Sequence, residues 1–286
     1  MMDVRSSASG QHSSERAQCM LAWLDETDAI ARSHFQSAAL HVEVKPDQTP
    51  VTAADLAIEH HLRDAIARCF PDDGIIGEEH GTTNNKSGWT WTIDPIDGTV
   101  AFARGVPLFG TLIVASHEGV AATGACSMPA LGERVWAVAG GGAWWQRLPV
   151  TREAIGAART PLVERTRVRS CHSVESALVC TSGSEFFRRS DRIDAWERLA
   201  RSVGSLRGWS DCYSGVLLVT GRCDAWVDPV MAPWDIGPFP LLVHEAGGIC
   251  TDWGGRSSGG APLQSVCAAS EGLHAGILNL LNASRG

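Results

Sequence analysis

The stretch Trp91-Thr92-Ile93-Asp94-Pro95-Ile96-Asp97-Gly98-Thr99 constrains this chain more than any other. It sets two carboxylates three residues apart around a proline, directly after a short apolar run of strand character. Proline has no N–H to give to a ladder, so the extended segment ending at Asp94 is expected to turn there. Both acids and the Ile96 carbonyl then converge on one point. Gly98-Thr99 opens a helix whose free N–H groups face the same point. Hard oxygen ligands beside a helix start suit a Mg²⁺–phosphate site. Taken alone, the motif is equally a strand end and an Asp-Pro turn with solvated acids.

Partners on both sides change that balance. Upstream, Gly77-Glu78-Glu79-His80 follows the apolar Ile75-Ile76, and downstream Pro233-Trp234-Asp235-Ile236-Gly237 precedes Glu245-Ala246-Gly247-Gly248. These three motifs, in this order, resemble the inositol monophosphatase family of metal-dependent sugar and small-molecule phosphatases, over residues 45–253. That resemblance implies a layered αβαβα fold.

Composition narrows the function classes. With 286 residues and 44% apolar content, the chain can bury a substantial core. The net charge of −8, without a basic cluster, argues against a nucleic-acid partner or a membrane surface. An acidic protein handling an anionic ester needs cations to offset the repulsion. The nine cysteines form no C-x-x-C pair, so neither a zinc site nor a disulfide framework fits, and a reducing cytoplasm is the expected compartment. Residues 1–16 are polar and Ser-rich, without the apolar core of a secretory signal, and are expected to be disordered. The ten histidines make no coherent metal set. Trp89, Trp91, Trp226 and Trp253 lie in strand-like runs and are expected in the core.

Periodicity divides the rest. Helical spacing covers 17–35, and Thr52-Ala53-Ala54-Asp55 forms a capping box that opens a helix to about residue 69. Strand-like runs follow at 89–93, 109–116, 120–128 and 134–139, with Glu118-Gly119 as a hairpin turn. Beyond residue 150 strands alternate with helices: strands at 177–181, 224–228, 249–253 and 266–269, helices at 184–203, 211–221 and 235–246. We expect an α+β half over 17–148 and an α/β half over 149–286, tightly packed. Pro238 and Pro240 fall inside the last helix and are expected to distort it.

If the family pattern carries over, Glu78, Asp94, the Ile96 carbonyl, Asp97 and Asp235 hold two or three Mg²⁺ ions. Four carboxylates in one pocket are tolerable only with divalent cations between them. Two cations about 3.5–4 Å apart can activate a water and stabilise the departing oxygen. Taken singly, Glu78 is equally a surface acid and Asp235 a helix cap. The resemblance pairs Thr99 with Asp55 in the catalytic group, alongside Glu78, to orient and deprotonate the attacking water; Asp55 is also the capping-box acid. It places Lys45 near the metals and Gly98 and Thr99 against the phosphate. It also implies a homodimer.

The segments 109–113, 208–213, 228–235 and 249–253 look like the histidinol-phosphatase branch, which hydrolyses histidinol phosphate in histidine biosynthesis. That substrate carries an amine and an imidazole, so acids away from the metals should meet it, and Asp211 and Asp228 are placed to do so. Either is otherwise a cap or a strand-end acid. Two positions depart from the family: Val100-Ala101 replaces a common polar pair, and Asp228 stands where a longer Glu is common. Inositol-1-phosphate hydrolysis is the rival activity. A regulatory binding protein on the same fold is the non-enzyme alternative, which would not need the Thr99–Asp55 pair.

Overall fold

The computed structural model describes residues 4–37, 42–44, 50–148, 160–209, 211–259 and 261–283. Helix α1 (Val4–His34) is followed by a small β1–β2 ribbon (Val42–Val44, Pro50–Thr52) and helix α2 (Ala53–Cys69). Next come β3 (Gly74–Gly77), β4 (Gly81–Thr82), β5 (Trp89–Asp97) and the short helix α3 (Thr99–Ala103). The strands β6 (Gly110–His117), β7 (Val120–Met128), β8 (Glu133–Val138), β9 (Gly142–Arg147) and β10 (Leu162–Arg165) form an antiparallel meander. With β5, β3 and β4 they make an eight-stranded sheet in the order β10-β9-β8-β7-β6-β5-β3-β4, in which only β3 and β5 are parallel. The hairpin between β6 and β7 turns on two consecutive left-handed residues, Glu118 (φ 49°) and Gly119 (φ 78°), the combination a tight turn matched to strand twist requires.

The second half holds β11 (Leu178–Thr181), α4 (Ser184–Arg189), α5 (Ile193–Ser202), β12 (Ser205–Gly208), α6 (Asp211–Val219) and β13 (Ala225–Asp228). It ends with α7 (Pro233–Ile236), α8 (Phe239–Glu245), β14 (Gly248–Thr251), β15 (Val266–Ser270) and α9 (Glu271–Asn282). Its five-stranded sheet runs β12-β11-β13-β15-β14, parallel across β12, β11 and β13 and antiparallel beyond.

Alternation along the strands explains the layering. On β6, Ile113 and Ala115 pack with Ile58 and Leu62 of α2 and Met20 and Leu24 of α1, whereas Leu112 packs on the other face with Val216 of α6 and Phe239 of α8. Those two helices also meet Cys180 and Trp226 of the second sheet. The far face of that sheet packs Val179 and Val227 against Leu199 of α5 and Ile277 of α9. The layers are therefore α, β, α, β, α, as the sequence resemblance implied. Trp89, Trp91, Trp226 and Trp253 are all buried.

Several local expectations are corrected. Helix α1 begins at Val4, and Ser13 and Arg16 are buried, where the sequence suggested disorder through residue 16. Arg16 anchors this part of the helix: its guanidinium lies 4.3 Å from the Phe70 ring and 4.0 Å from the Trp89 ring, and it donates twice to Asp73 at 3.0 Å. Strand β10, from beyond residue 150, completes the first sheet, so the sheets do not divide at 148/149. The helix expected over 184–203 is two helices, broken where Asp191 takes φ 58°. Among the described residues no helix is long and apolar enough to cross a membrane.

Candidate active site

Strand β5 does not stop at Pro95. It pairs with β6 through Asp94 opposite Leu112, loses register over residues 95–96, and resumes with Asp97 opposite Gly110. A missing N–H and a local bulge thus re-aim the strand instead of ending it. The Thr111 hydroxyl donates to the Pro95 carbonyl at 2.9 Å and holds the irregular stretch in place. Gly98 then takes φ 85°, and a Cβ there would stand 2.9 Å from the Leu108 carbonyl oxygen and 3.2 Å from Asp211 Oδ2. Only glycine meets both demands, and helix α3 starts at the next residue.

Asp94, Asp97 and Asp235 each bring a carboxylate oxygen to within 4.8 Å of the others. Glu78, in the turn after β3, and Asp211, the first residue of α6, line the same cleft of about 160 Å³, together with Pro50, Ile96, Gly98, Thr99 and Val100. Asp97 is held by the Cys212 backbone N–H at the start of α6. Asp235 accepts the Ala232 N–H at 3.0 Å, so it caps α7 from inside its own first turn. The prolines that looked out of place resolve here. The helix expected over 235–246 breaks after Ile236, and Pro238 and Pro240 stand at the start of α8, where a missing N–H costs little.

The electrostatics are lopsided. Burial pushes the Asp94 carboxyl well above its usual range, and Glu78, Asp97, Asp235 and Asp55 add to the rise in that order. Asp97 is also raised by burial, then by Asp211 and Asp235. Asp94 Oδ1 is buried with no hydrogen-bond partner in the structure. A buried, unpaired carboxylate oxygen facing other carboxylates is costly unless a cation fills the gap. The donor set consists of hard oxygens, which suits Mg²⁺ or Mn²⁺.

Beside the cluster lies the pair Thr99–Asp55. Asp55 Oδ2 accepts the Thr52 N–H at 2.8 Å and the Thr52 hydroxyl at 2.6 Å, and Thr52 Oγ1 accepts the Ala54 N–H at 3.2 Å, which completes the capping box. Its Oδ1 faces Thr99 Oγ1 at 3.5 Å, while Thr99 donates at 2.9 Å to the Ile96 carbonyl. Burial pushes Asp55 up to about 6, partly offset by the Thr52 hydrogen bonds. One carboxylate oxygen therefore anchors the helix and the other turns to the cleft.

Comparison with known proteins agrees with this geometry. Residues 12–285 match the inositol monophosphatase family. The chain belongs to that family. It is 37% identical over 241 residues to a histidinol-phosphatase of Chlorobaculum parvum, covering 84% of this chain and 87% of the relative. To a histidinol-phosphatase of Mycobacterium tuberculosis it is 34% identical over 264 residues, with 92% and 96% covered. Among solved structures, an IMPase of Thermotoga maritima superposes with a TM-score of 0.78 at 26% identity, covering 94% of this chain and 97% of that one. The protein is therefore a phosphatase, acting on small phosphate esters. Enzymes of this family are metal-dependent, and the acidic cluster offers the place.

Within the inositol monophosphatase frame most of the sequence-derived site assembles, with two exceptions. Glu78, Asp94, Ile96, Asp97, Gly98, Thr99, Asp211 and Asp235 share the cleft, and Asp55 stands behind Thr99. Lys45 lies outside the described residues. Asp228, expected to touch the substrate, is corrected: it is 1% exposed and absent from the cleft lining. Its oxygens accept from Thr181 Oγ1 at 2.8 Å, the Ser182 N–H at 2.9 Å, Ser182 Oγ at 3.0 Å and Trp226 Nε1 at 2.7 Å. Four donors fill it, so it ties β13 to the end of β11. The roles of Thr111 and of the Cys212 N–H escaped the sequence reading, because neither a lone threonine nor a backbone donor leaves a motif.

Proposed function

We propose that this phosphatase hydrolyses histidinol phosphate to histidinol, with Mg²⁺ ions, two or three in number, held by Glu78, Asp94, the Ile96 carbonyl, Asp97 and Asp235. The observation that carries the reading is a cleft lined by one carboxylate more than the inferred metal ligands. Asp211 lines it beside the inferred ligands, and no Lys or Arg is among the described lining residues. A substrate bearing an amine and an imidazole complements such a cleft once the phosphate is matched by cations. The identity to histidinol-phosphatases along most of the chain supports the same choice.

Mg²⁺ held there would supply charge compensation for the phosphate and would make the attacking water more acidic. The chain's own residues do the rest. Thr99 turns its hydroxyl from the Ile96 carbonyl towards Asp55 Oδ1, accepts a proton from the attacking water and hands its own to that oxygen, which is ionised above pH of about 6. As the water oxygen bonds to phosphorus, the ester P–O bond breaks, and the departing histidinol oxygen takes a proton from solvent. The first-turn N–H groups of α3 at the cleft wall offer donors to the phosphate. We further propose a homodimer in the reducing cytoplasm, on the family resemblance and on nine cysteines that are all unpaired.

Phosphate release from histidinol phosphate, inositol-1-phosphate, fructose-1,6-bisphosphate and 3′-phosphoadenosine 5′-phosphate tests the assignment. Histidinol phosphate should give the highest kcat/KM. A higher value for any of the other three overturns the substrate.

A further inference from the structure

Glu59 lies one helical turn beyond Asp55 on α2 and is completely buried. A carboxylate so placed needs partners, and all of them lead to one place. Its Oε2 accepts the Glu79 N–H at 2.7 Å, and its Oε1 accepts the His80 N–H at 3.0 Å and Arg63 Nε at 2.7 Å. Arg63 Nη2 in turn donates to the Gly81 carbonyl. Glu79 and His80 complete the turn that holds Glu78, and Gly81 opens β4. On the other side of Glu78, Gly77 approaches so closely that a Cβ would lie 2.1 Å from Glu59 Oε1 and 2.8 Å from Arg63 Nη2. Gly77 is not in a left-handed conformation, so what glycine supplies there is room for the carboxylate. Glu78 is thus bracketed by two neighbours that both rest on the Glu59 side chain.

We propose that Glu59, clamped by Arg63, is the positioning residue that fixes the Glu78 turn and aims its carboxylate into the cleft. This rests on the reading of Glu78 as a metal ligand. The Glu79 and His80 N–H groups both donate to this one side chain, so the turn cannot rotate without losing two hydrogen bonds to a buried group. Groups that orient a ligand from behind typically control metal affinity by roughly 10- to 100-fold.

The test measures Mn²⁺ binding directly, by the EPR signal of free Mn²⁺, in the full chain and in Glu59→Gln, Gly77→Ala and Glu78→Gln. Thermal unfolding in chelator reports the fold separately. The expected result is that Glu59→Gln and Gly77→Ala each weaken Mn²⁺ binding by about tenfold, and that activity they lose is recovered by raising Mg²⁺. Gly77→Ala keeps the buried carboxylate and decides the matter if Glu59→Gln fails to fold. Lower melting temperatures with unchanged Mn²⁺ affinity, while Glu78→Gln weakens binding, overturn the positioning role alone. Unchanged binding in Glu78→Gln removes the ligand reading, and the positioning role with it.

Discussion

At the scale of single residues the site is a problem of charge. Asp94 sits buried among acids with one oxygen unpaired, and its ionised form is costly in the folded chain without cations. Asp94→Asn should therefore abolish phosphatase activity without lowering the melting temperature measured in chelator, and it should cancel the stabilisation that Mg²⁺ gives the wild type. Thr99→Ala and Asp55→Asn should each reduce kcat far more than they change KM, and the double variant should be little worse than either; additive losses would uncouple the pair. Asp211→Asn should cost histidinol phosphate on the order of 1.5–3 kcal/mol in transition-state binding while sparing p-nitrophenyl phosphate. These residues were legible because each belongs to a motif whose spacing carries chemistry. Asp228 was misread for a physical reason: a strand-end acid can face the cleft or the interior. Its orientation is decided by Thr181, Ser182 and Trp226, and Thr181 and Ser182 lie far away in sequence.

Asp228 also shows how elements are joined. Burial pushes its carboxyl up to about 6, above the usual 3.8. A carboxylate with a raised folded-state pKa contributes stability at low pH that is lost as pH rises through that value. Asp228→Asn should accordingly flatten the fall in stability between about pH 4 and 6. By leaving a fixed donor facing an amide, it should also destabilise the fold at neutral pH by about 1–3 kcal/mol. Losses on histidinol phosphate and p-nitrophenyl phosphate should be equal, and a selective loss on histidinol phosphate would restore Asp228 to the substrate. The capping box at Thr52–Asp55 and the Glu118-Gly119 hairpin were legible, since both depend on local hydrogen bonds and dihedrals. The split between α7 and α8 was half legible: the prolines signalled trouble, but not that each would find a helix start. Strands β10 and β12 were missed, because short edge strands take their conformation from the neighbour they pair with and leave little periodicity.

At the scale of the molecule, five layers bring motifs from distant parts of the chain to one cleft. The eight-stranded sheet delivers Asp94 and Asp97, the turn after β3 delivers Glu78, and helices α6 and α7 from the middle layer deliver Asp211 and Asp235. The layer order followed from the family resemblance, but the reach of α1 did not, because a single arginine between two aromatic rings has no sequence signature. Arg16→Met would leave Asp73 buried without its ionic partner, and should destabilise the fold by about 3–5 kcal/mol in thermal or urea unfolding. A change within 0.5 kcal/mol would mean that the Arg16–Asp73 pair does not hold this part of α1 in place. On the proposed reading, this acidic cleft hydrolyses histidinol phosphate only when divalent cations fill it. Phosphate release from histidinol phosphate, measured in excess chelator and then along a Mg²⁺ titration, tests it most directly. No turnover in chelator and full recovery with Mg²⁺ are expected in the wild type, with no recovery in Asp94→Asn. Undiminished turnover in chelator, or recovery in Asp94→Asn, would contradict it.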